Sequence, residues 1–255
     1  MTDDSKRVFE GKTIVVSGAS SGIGRAVAVH LARQGAGLVL IGRDQARLED
    51  TARQAGAQVS RIVQLDLTEV TAIMPAVKAA VSAVGRLYGL CHAAGTIDTL
   101  ALSATSPEKL QAMIQVNYLA GMELARTITR RDIINEDGGS VLFLSSICTI
   151  IGAPGRVAYS GGKGAVTAAA RAMAIELARR LIRVNVLSPG IVRTEMTEKS
   201  FYGLSVQQIQ TIKETHPLGF GSPEDVARAA VFLLSPENKW ITGSDLVIDG
   251  GCSAQ

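Results

Sequence analysis

Short apolar runs alternate with longer amphipathic stretches along the whole chain. The apolar runs have the length and composition of buried β-strands, and they lie at 13–17, 38–41, 61–65, 87–91, 141–145, 184–188 and 246–249. The amphipathic stretches predict helices near 23–34, 44–55, 69–84, 107–131, 160–181 and 223–234. This alternation is typical of right-handed βαβ crossovers. We therefore expect an α/β fold, a doubly wound sheet of about seven parallel strands with helices on both faces.

The alternation contains no linker and no internal repeat, so we predict a single domain over 1–255. It is interrupted late, at 195–215, where the apolar residues Val206, Ile209 and Ile212 lie between glycines. This pattern fits a mobile lid over a substrate site. A surface excursion with one packed helix explains the same pattern equally well.

Composition excludes several classes of protein. The chain is 47% hydrophobic and 19% charged, its net charge is only +3, and it has no run of five basic residues. We therefore expect a globular protein that binds neither nucleic acid nor a membrane surface. No run of 18 apolar residues could span a bilayer, and the N-terminal residues lack the apolar core of a secretory signal.

The cysteines and histidines give no sign of a disulfide framework or a metal site. The three cysteines are dispersed, as is usual for reduced thiols in the cytoplasm: Cys91, Cys148 and Cys252. The three histidines share no ligand spacing with one another or with the cysteines: His30, His92 and His216. We predict a cytoplasmic protein without a bound metal.

A glycine-rich turn, S-G-A-S-S-G-I-G at 17–24, directly follows the first predicted strand and opens the first helix. Gly18, Gly22 and Gly24 permit a tight turn and let a pyrophosphate approach the N–H groups at the helix N-terminus. The position after strand one predicts a nucleotide site in a Rossmann-type fold. A βα turn that needs its glycines only for geometry is the alternative.

The end of the second predicted strand bears on the choice of cofactor. A carboxylate about 20 residues past the glycines would accept hydrogen bonds from an adenosine ribose. Here Gly42 occupies that place and Arg43 follows, which suits a 2′-phosphate. Asp44 could serve a ribose, but it is better explained as the N-cap of the next helix. We therefore favour NADP(H), with NAD(H) possible.

Tyr159 and Lys163 are four residues apart, so on a helix they share one face. A free tyrosine has a pKa of about 10, and a neighbouring cation would lower that pKa toward neutrality, where the phenol can exchange protons. An exposed Tyr/Lys pair without chemistry is common on helix surfaces, so the pair alone does not decide the function.

The chain closely resembles the short-chain dehydrogenase/reductase family over essentially its full length. The likeness rests on motifs in the family's order: S-G-A-S-S-G-I-G (17–24), L-D-L (65–67), A-A-G (93–95), Asn117 in Q-V-N-Y, Ser146 in L-S-S-I, Y-S-G-G-K (159–163) and V-N-V-L-S-P-G-I-V-R-T (184–194). Ser146 lies thirteen residues before Tyr159, which is the family spacing, whereas Ser145 is one step off and is assigned a structural role.

The resemblance implies a role for each catalytic position. Tyr159 would be the general acid that protonates a carbonyl oxygen, or the base in the reverse direction. Lys163 would lower the pKa of Tyr159 and bind the nicotinamide ribose. Ser146 would hydrogen-bond the carbonyl oxygen. Asn117, in the fourth helix, would hold a water of a proton relay, and the nicotinamide would supply hydride.

The resemblance also implies the cofactor contacts. Asp66 and Leu67 match positions that contact adenine, and Pro189 to Thr194 match the loop that seats the nicotinamide amide. The full predicted set is Gly18, Ser20, Ser21, Gly22, Ile23, Gly24, Arg43, Asp66, Leu67, Ala93, Ala94, Gly95, Tyr159, Lys163, Pro189, Gly190, Val192 and Thr194.

Two motifs depart from the family pattern. The chain has H-A-A-G at 92–95 where N-N-A-G is usual, which puts the fine geometry beside the cofactor in doubt. It has Y-S-G-G-K at 159–163 where Y-S-A-S-K is more familiar. Each of these glycines, Gly161 and Gly162, should cost about 1 kcal/mol of helix stability relative to alanine.

The C-terminal segments, H-P-L-G-F-G-S-P-E-D and I-T-G-S-D-L-V-I-D-G-G, resemble those of 3-oxoacyl-acyl-carrier-protein reductases, which are typically homotetramers in fatty-acid synthesis. The substrate would be a carbonyl compound, either small or carried on an acyl carrier protein. Candidate docking residues for an acidic carrier protein end two long helices, Arg130, Arg131, Arg179 and Arg180, although they could equally complement helix dipoles.

Two other functions remain open. The first is a dehydrogenase of another secondary alcohol, such as a sugar, a steroid or a small ketone. The second is a non-catalytic nucleotide-binding sensor, against which the intact catalytic set Asn117, Ser146, Tyr159 and Lys163 argues.

Overall fold

The computed structural model describes residues 7–255. Residues 1–6, on which part of the expectation about a secretory signal rests, lie outside the described residues. Seven strands form one sheet: β1 Thr13–Ser17, β2 Gly37–Gly42, β3 Val59–Gln64, β4 Gly89–His92, β5 Gly139–Leu144, β6 Ile182–Pro189 and β7 Asp245–Ile248. All neighbouring strands pair in parallel in the order β3-β2-β1-β4-β5-β6-β7, which confirms the predicted doubly wound sheet.

Helices connect the strands. They are α1 Gly22–Arg33, α2 Gln45–Ala55, α3 Val70–Val84, α4 Pro107–Ile114, α5 Ala120–Ile128, α6 Val157–Leu177, α7 Glu195–Ser200, α8 Val206–Glu214 and α9 Pro223–Leu234. Within residues 7–255, no helix combines the length and the apolar composition that crossing a bilayer requires.

The two faces of the sheet carry separate cores because side chains alternate along each strand. Val16 of β1 packs with Leu31 of α1 and Ala230 of α9 on one face. Val15, its neighbour on β1, belongs to the other face, with residues of α3, α5 and α6. The near-continuous apolar runs in the sequence follow from this burial on both sides.

The prediction of one helix over 107–131 was wrong in two respects. A π-helical turn, Gln115–Leu119, separates α4 from α5, and α5 ends at Ile128. The turn contains Asn117, whose side chain is fully buried and bonded to the loop that follows β4. A π-turn inserts an extra residue into the helix and re-aims its side chains, which the apolar periodicity does not reveal.

The boundaries of the other helices differ less from the predicted ones. Helix α6 begins at Val157, before the predicted start, and ends at Leu177, where a short 3-10 turn leads to Leu181 in the left-handed conformation. Segment 195–215 forms two short helices, α7 and α8, rather than one packed helix. Ser205 and Gln208 form a capping box that starts α8.

Candidate active site

The predicted site residues meet at the edge of the sheet formed by the carboxyl ends of the strands. The glycine turn follows β1, A-A-G follows β4, Ser146 follows β5, and Pro189 ends β6. The strand order reverses between β1 and β4. In open parallel sheets this reversal opens the crevice in which ligands bind.

The glycine turn has a cradle that only glycine can form. Gly18 has φ +70, and a Cβ on it would lie 2.6 Å from the backbone nitrogen of Ala94. A Cβ on Gly24 would lie 2.2 Å from the carbonyl oxygen of Gly18. The turn therefore packs against the loop after β4 with no room for side chains.

The N-terminus of α1 is suited to a phosphate. Its N-cap residue, Ser21, makes no side-chain capping bond, and the first turn holds no acidic residue. Arg25 holds the turn in place by donating to the carbonyl oxygen of Ser20 at 2.8 Å. Because N–H groups and the positive end of the helix dipole face this crevice, these residues fit the pyrophosphate of a nicotinamide dinucleotide.

The residues predicted for the adenosine end of the cofactor differ in their exposure to solvent. Arg43 and Asp66 are both exposed at the ends of β2 and β3, and the pKa of Asp66 is lowered first by the Thr68 backbone N–H and then, more weakly, by the Thr68 hydroxyl and the charge of Arg43. Asp44 accepts a hydrogen bond from the Arg47 backbone N–H, so it caps α2 as predicted. Leu67 is buried and packs in the core of one face of the sheet.

Ser146, Tyr159 and Lys163 are all buried and lie together. The Lys163 ammonium lies 6.0 Å from the centroid of the Tyr159 ring and donates to the carbonyl oxygen of Leu144 at 2.7 Å. The Ser146 hydroxyl oxygen accepts from the backbone N–H of Cys148 at 3.2 Å. Ser145 bonds Thr167 and the Lys163 carbonyl, in keeping with its predicted structural role.

Burial, rather than the neighbouring Lys163, sets the pKa of Tyr159 in this structure. Burial raises the pKa of Tyr159 to about 12, and the hydrogen bond with Ser146 opposes this only in part. Burial also lowers the pKa of Lys163 to about 8. Both groups lie away from water, and desolvation disfavours the charged form of each. The phenol is therefore protonated at neutral pH.

Asn117 braces the loop after β4. Its Oδ1 accepts from the Thr96 backbone N–H at 3.0 Å, and its Nδ2 donates to the Thr96 carbonyl at 2.9 Å. Both ends of the side chain are thus committed to the backbone. The sequence analysis placed Asn117 in the fourth helix. In the structure it lies in the π-turn that follows α4.

Gly95 lies between Asn117 and Lys163. A Cβ on Gly95 would lie 2.8 Å from Oδ1 of Asn117 and 3.2 Å from Nζ of Lys163. Ala93 and Ala94 are half-buried beside the glycine turn, and the Ala93 N–H donates to the Ser17 carbonyl. The A-A-G loop therefore lies between the glycine turn and Lys163.

The segment after β6 is held by its own side chains. Thr194 caps α7 by accepting from the Thr197 backbone N–H, and the Thr197 hydroxyl donates to the Val192 carbonyl. Val192 is buried in the core, and Gly190 packs so closely on Asp249 that a Cβ would lie 2.9 Å from its Cα. Thr194 faces the glycine turn, where a Cβ on Gly22 would lie 3.3 Å from its methyl carbon.

Two features beside the site escaped sequence reasoning. His92 is buried, its Nδ1 lies 2.8 Å from the Ser17 hydroxyl oxygen, and its Nε2 has no hydrogen-bond partner among residues 7–255. It fits only because Gly121 has no side chain, since a Cβ there would lie 2.9 Å from the ring. The sequence analysis treated Gly162 only as a residue that lowers helix stability. In the structure it lies against Asn117, and a Cβ on Gly162 would lie 3.2 Å from the Asn117 Cβ. Gly161, by contrast, faces open space among the described residues, since a Cβ on it would meet no atom within 4 Å.

We expect the buried histidine to make the fold sensitive to acid. Burial, and secondly the charge of Lys163, lowers the pKa of His92 to about 3. The unfolded chain takes up a proton at a pKa of about 6.5, so stability is full above pH 6.5 and falls by about 1.4 kcal/mol per pH unit below it, or about 2 kcal/mol at pH 5. Urea unfolding at pH 7.5 and pH 5 measures this loss.

His92→Asn is the control, because all other titrating groups are common to both proteins. We expect the variant to lose about 2 kcal/mol less than the parent protein between the two pH values. Equal losses would contradict a neutral, buried His92.

Arg130, Arg131, Arg179 and Arg180 do not lie near the site of their own chain. Helix α6 starts beside the site and leads to Ile182, which pairs with Gly139 at the amino end of β5. From Tyr159 to the end of α6 the axis covers about 27 Å. Arg130 is paired with Asp132. These arginines therefore lie at the opposite end of the sheet from the predicted site.

Comparisons with known proteins agree with this geometry. The family model described as "Enoyl-(Acyl carrier protein) reductase" matches residues 18–253. A 3-oxoacyl-acyl-carrier-protein reductase of Thermotoga maritima is 34% identical over 95% of this chain and 98% of its own. A galactitol 2-dehydrogenase of Cereibacter sphaeroides is 35% identical over 97% of this chain and 98% of its own.

Solved structures extend the likeness to the whole fold. A short-chain dehydrogenase/reductase from Mycobacterium ulcerans superposes with a TM-score of 0.89 at 29% identity, covering 97% of this chain and 91% of its own. A 3-ketoacyl-acyl-carrier-protein reductase from Brucella melitensis, solved with NADH, gives a TM-score of 0.86 at 29% identity, covering 96% and 99%. The chain therefore belongs to the short-chain dehydrogenase/reductase family of NAD(P)-dependent oxidoreductases.

Proposed function

We propose that this protein is an NADPH-dependent ketone reductase whose substrate is a β-keto thioester on an acyl carrier protein, a 3-oxoacyl-acyl-carrier-protein reductase. The observation that carries the reductase assignment is the meeting of Ser146, Tyr159 and Lys163 beside a phosphate cradle. The similarity to reductases of this class supports the choice of substrate.

Tyr159 is the proposed proton donor. Because its pKa is raised to about 12, the phenol holds its proton at neutral pH and can pass it to a carbonyl oxygen that gains negative charge. Ser146 accepts from Cys148 and hydrogen-bonds the Tyr159 phenol, and when substrate binds its hydroxyl hydrogen would donate to the same carbonyl oxygen. Both residues stabilise the negative charge that develops on this oxygen in the transition state.

Lys163 and Asn117 support this step. One of the three ammonium hydrogens of Lys163 is committed to Leu144, and two remain for a ribose hydroxyl and a water. Asn117 holds the loop that brings Gly95 against the ammonium. The nicotinamide, when bound, supplies the hydride.

The mouth of the site favours an apolar substrate over a polyol. Large apolar side chains are exposed around Ser146 and Tyr159, on two loops and at the start of α6: Leu102 at 68%, Ile150 at 52% and Val157 at 51%. The loops lie side by side, since the Leu100 N–H donates to Gly155 and Arg156 donates to Asp98. An acyl chain would cover these side chains, whereas a sugar would leave them in water.

Segment 195–215 is proposed as the substrate lid. Met196 and Leu204 are apolar and exposed on it, so closure over an acyl chain would bury them. The alternative function, oxidation of another secondary alcohol, is favoured by the similarity to a galactitol dehydrogenase. In that case polar side chains of the same segment would bind the substrate hydroxyls.

A homotetramer is proposed for the assembly. Exposed apolar side chains lie on two separate groups of elements, on α4 to α6 at Leu110 and Ile175, and beside the β7 edge at Phe232, Trp240 and Val247. Two self-complementary faces are what a tetramer with three two-fold axes needs.

We place the protein in the cytoplasm because Cys91, Cys148 and Cys252 are all free.

The substrate proposal is tested by measuring NADPH and NADH consumption with acetoacetyl thioesters, hexitols, a steroid ketone and simple ketones. We expect kcat/KM for the thioester on NADPH to exceed that of every other pair. A hexitol as the best substrate would establish the alternative, and no turnover of either cofactor would favour the nucleotide sensor.

We expect Arg43→Ala to weaken NADPH binding about 10- to 100-fold, because a charge-assisted contact to the 2′-phosphate is lost. NADH binding should change by less than about twofold, as it has no such phosphate. Fluorescence titration with both cofactors measures this, with Arg61→Ala as a control on an exposed arginine of β3. Equal losses for both cofactors would contradict the proposed contact.

A further inference from the structure

One ion pair connects segment 195–215 to the nucleotide half of the molecule. Arg47, in the first turn of α2, pairs with Glu195, the first residue of α7, through Nη2 and Oε1. Of the ion pairs found within residues 7–255, this is the one that reaches 195–215. Both side chains are partly exposed, at 38% and 57%, so each can exchange its partner.

The pair lies over the cofactor crevice. Arg25, which holds the glycine turn at Ser20, also donates to the Arg47 carbonyl, so Arg47 stands beside that turn. On the other side, Thr194 precedes Glu195 and meets the turn at Gly22. The Arg47–Glu195 contact therefore runs from one wall of the crevice to the other, beside the place where α1 would receive the pyrophosphate.

The charges around the adenosine end are closely balanced as the structure stands. Arg43 and Arg47 are the cations, and Asp44, Asp66 and Glu195 are the carboxylates. Arg43 alone faces two acids that would repel a 2′-phosphate. Arg47, four residues further along the chain, is a second cation, but it is paired with Glu195.

We propose that Arg47 is a second residue that binds the 2′-phosphate of NADPH, and that Glu195 competes with this phosphate for it. The proposal rests on the NADPH preference proposed above. It makes Arg47 and Glu195 specificity-determining residues, with the start of the proposed lid as the competitor.

The exchange is favourable for the phosphate and not for a ribose hydroxyl. A phosphate monoester carries about −1.5 to −2 charges at neutral pH and offers three acceptor oxygens to the planar guanidinium. The Glu195 carboxylate carries one charge and is half exposed to water. NADH offers only a neutral hydroxyl at this position, so it leaves Arg47 paired with Glu195.

The test is a set of dissociation constants for the parent protein, Arg47→Gln, Glu195→Gln and the double variant. NADPH, NADH, and the fragments 2′,5′-ADP and 5′-ADP are titrated by calorimetry, so no activity is needed. We expect Arg47→Gln to weaken NADPH and 2′,5′-ADP about tenfold and to leave NADH and 5′-ADP within about twofold.

The competition gives a second, opposite effect. We expect Glu195→Gln to tighten NADPH and 2′,5′-ADP about two- to threefold, and to have no effect once Arg47 is replaced. Arg53→Gln and Glu198→Gln are matched controls, since Arg53 on α2 pairs with Asp50 and Glu198 on α7 makes no ion pair within residues 7–255. Both should bind like the parent protein.

The outcomes separate this inference from the proposed cofactor preference. If the parent protein prefers NADPH and Arg47→Gln binds it equally well, the role of Arg47 is overturned while the preference stands. If Glu195→Gln weakens NADPH, or acts equally in the Arg47→Gln background, the competition is overturned. If the parent protein prefers NADH, both the preference and the inference fail.

Discussion

Replacing Tyr159 by phenylalanine lowers kcat by about 10²- to 10⁴-fold and leaves NADPH affinity nearly unchanged. The variant keeps the buried ring and loses only the hydroxyl, so the proton donor is removed without creating a cavity. Ser146 can still hydrogen-bond the carbonyl oxygen, which accounts for the residual rate. Stopped-flow measurement of NADPH oxidation together with a binding titration separates the two effects.

Tyr88→Phe is the matched control. Tyr88 is also buried, but its hydroxyl donates to the Leu234 carbonyl on α9, away from the site. This variant should lose about 1 kcal/mol of stability and keep its kcat, because only a structural hydrogen bond is removed. Full activity in Tyr159→Phe would mean that another group donates the proton.

The second large effect is expected at the glycine turn. Gly18→Ala places a Cβ 2.6 Å from the Ala94 nitrogen and forces an L-residue to φ +70. We expect it to lower the free energy of unfolding by about 2–5 kcal/mol, since strain in the left-handed region adds to overpacking against backbone. NADPH binding should also be lost, because the turn must move away from the start of α1.

Gly161→Ala is the opposite case and serves as the control. Gly161 lies inside α6, and its missing Cβ would meet nothing within 4 Å. This variant should gain up to about 1 kcal/mol without a change in cofactor affinity. Urea unfolding and calorimetric titration of both variants check the pair. Equal stability of the Gly18→Ala and Gly161→Ala variants would show that the turn is not constrained as described.

Much of the site follows from local rules. The sequence alone shows the apolar runs of strand length and the glycines that follow β1. It also shows a tyrosine placed one helical turn before a lysine. They led to the doubly wound sheet, the phosphate cradle and the Ser146, Tyr159 and Lys163 set. Asp44 as the cap of α2 followed in the same way.

Other features depend on what the fold brings together, and local rules could not supply them. The pKa of Tyr159 is decided by how deeply its side chain is buried, which the spacing of Tyr159 and Lys163 does not reveal. The π-turn at Asn117 exists because a distant loop, at Thr96, takes both of its polar atoms. The fit of His92 depends on a glycine 29 residues away, Gly121.

The sequence by itself determined the class of this protein, because periodicity and motif spacing depend on residues that are close in the chain and can be recognised without the tertiary structure. Only the tertiary structure decided how the parts act on one another. It showed that Gly95 touches both Asn117 and Lys163, that four arginines lie at the wrong edge for their own site, and that Arg47 and Glu195 meet across the crevice. Burial and contact between residues far apart in the chain set those energies, and neither is encoded at a fixed spacing.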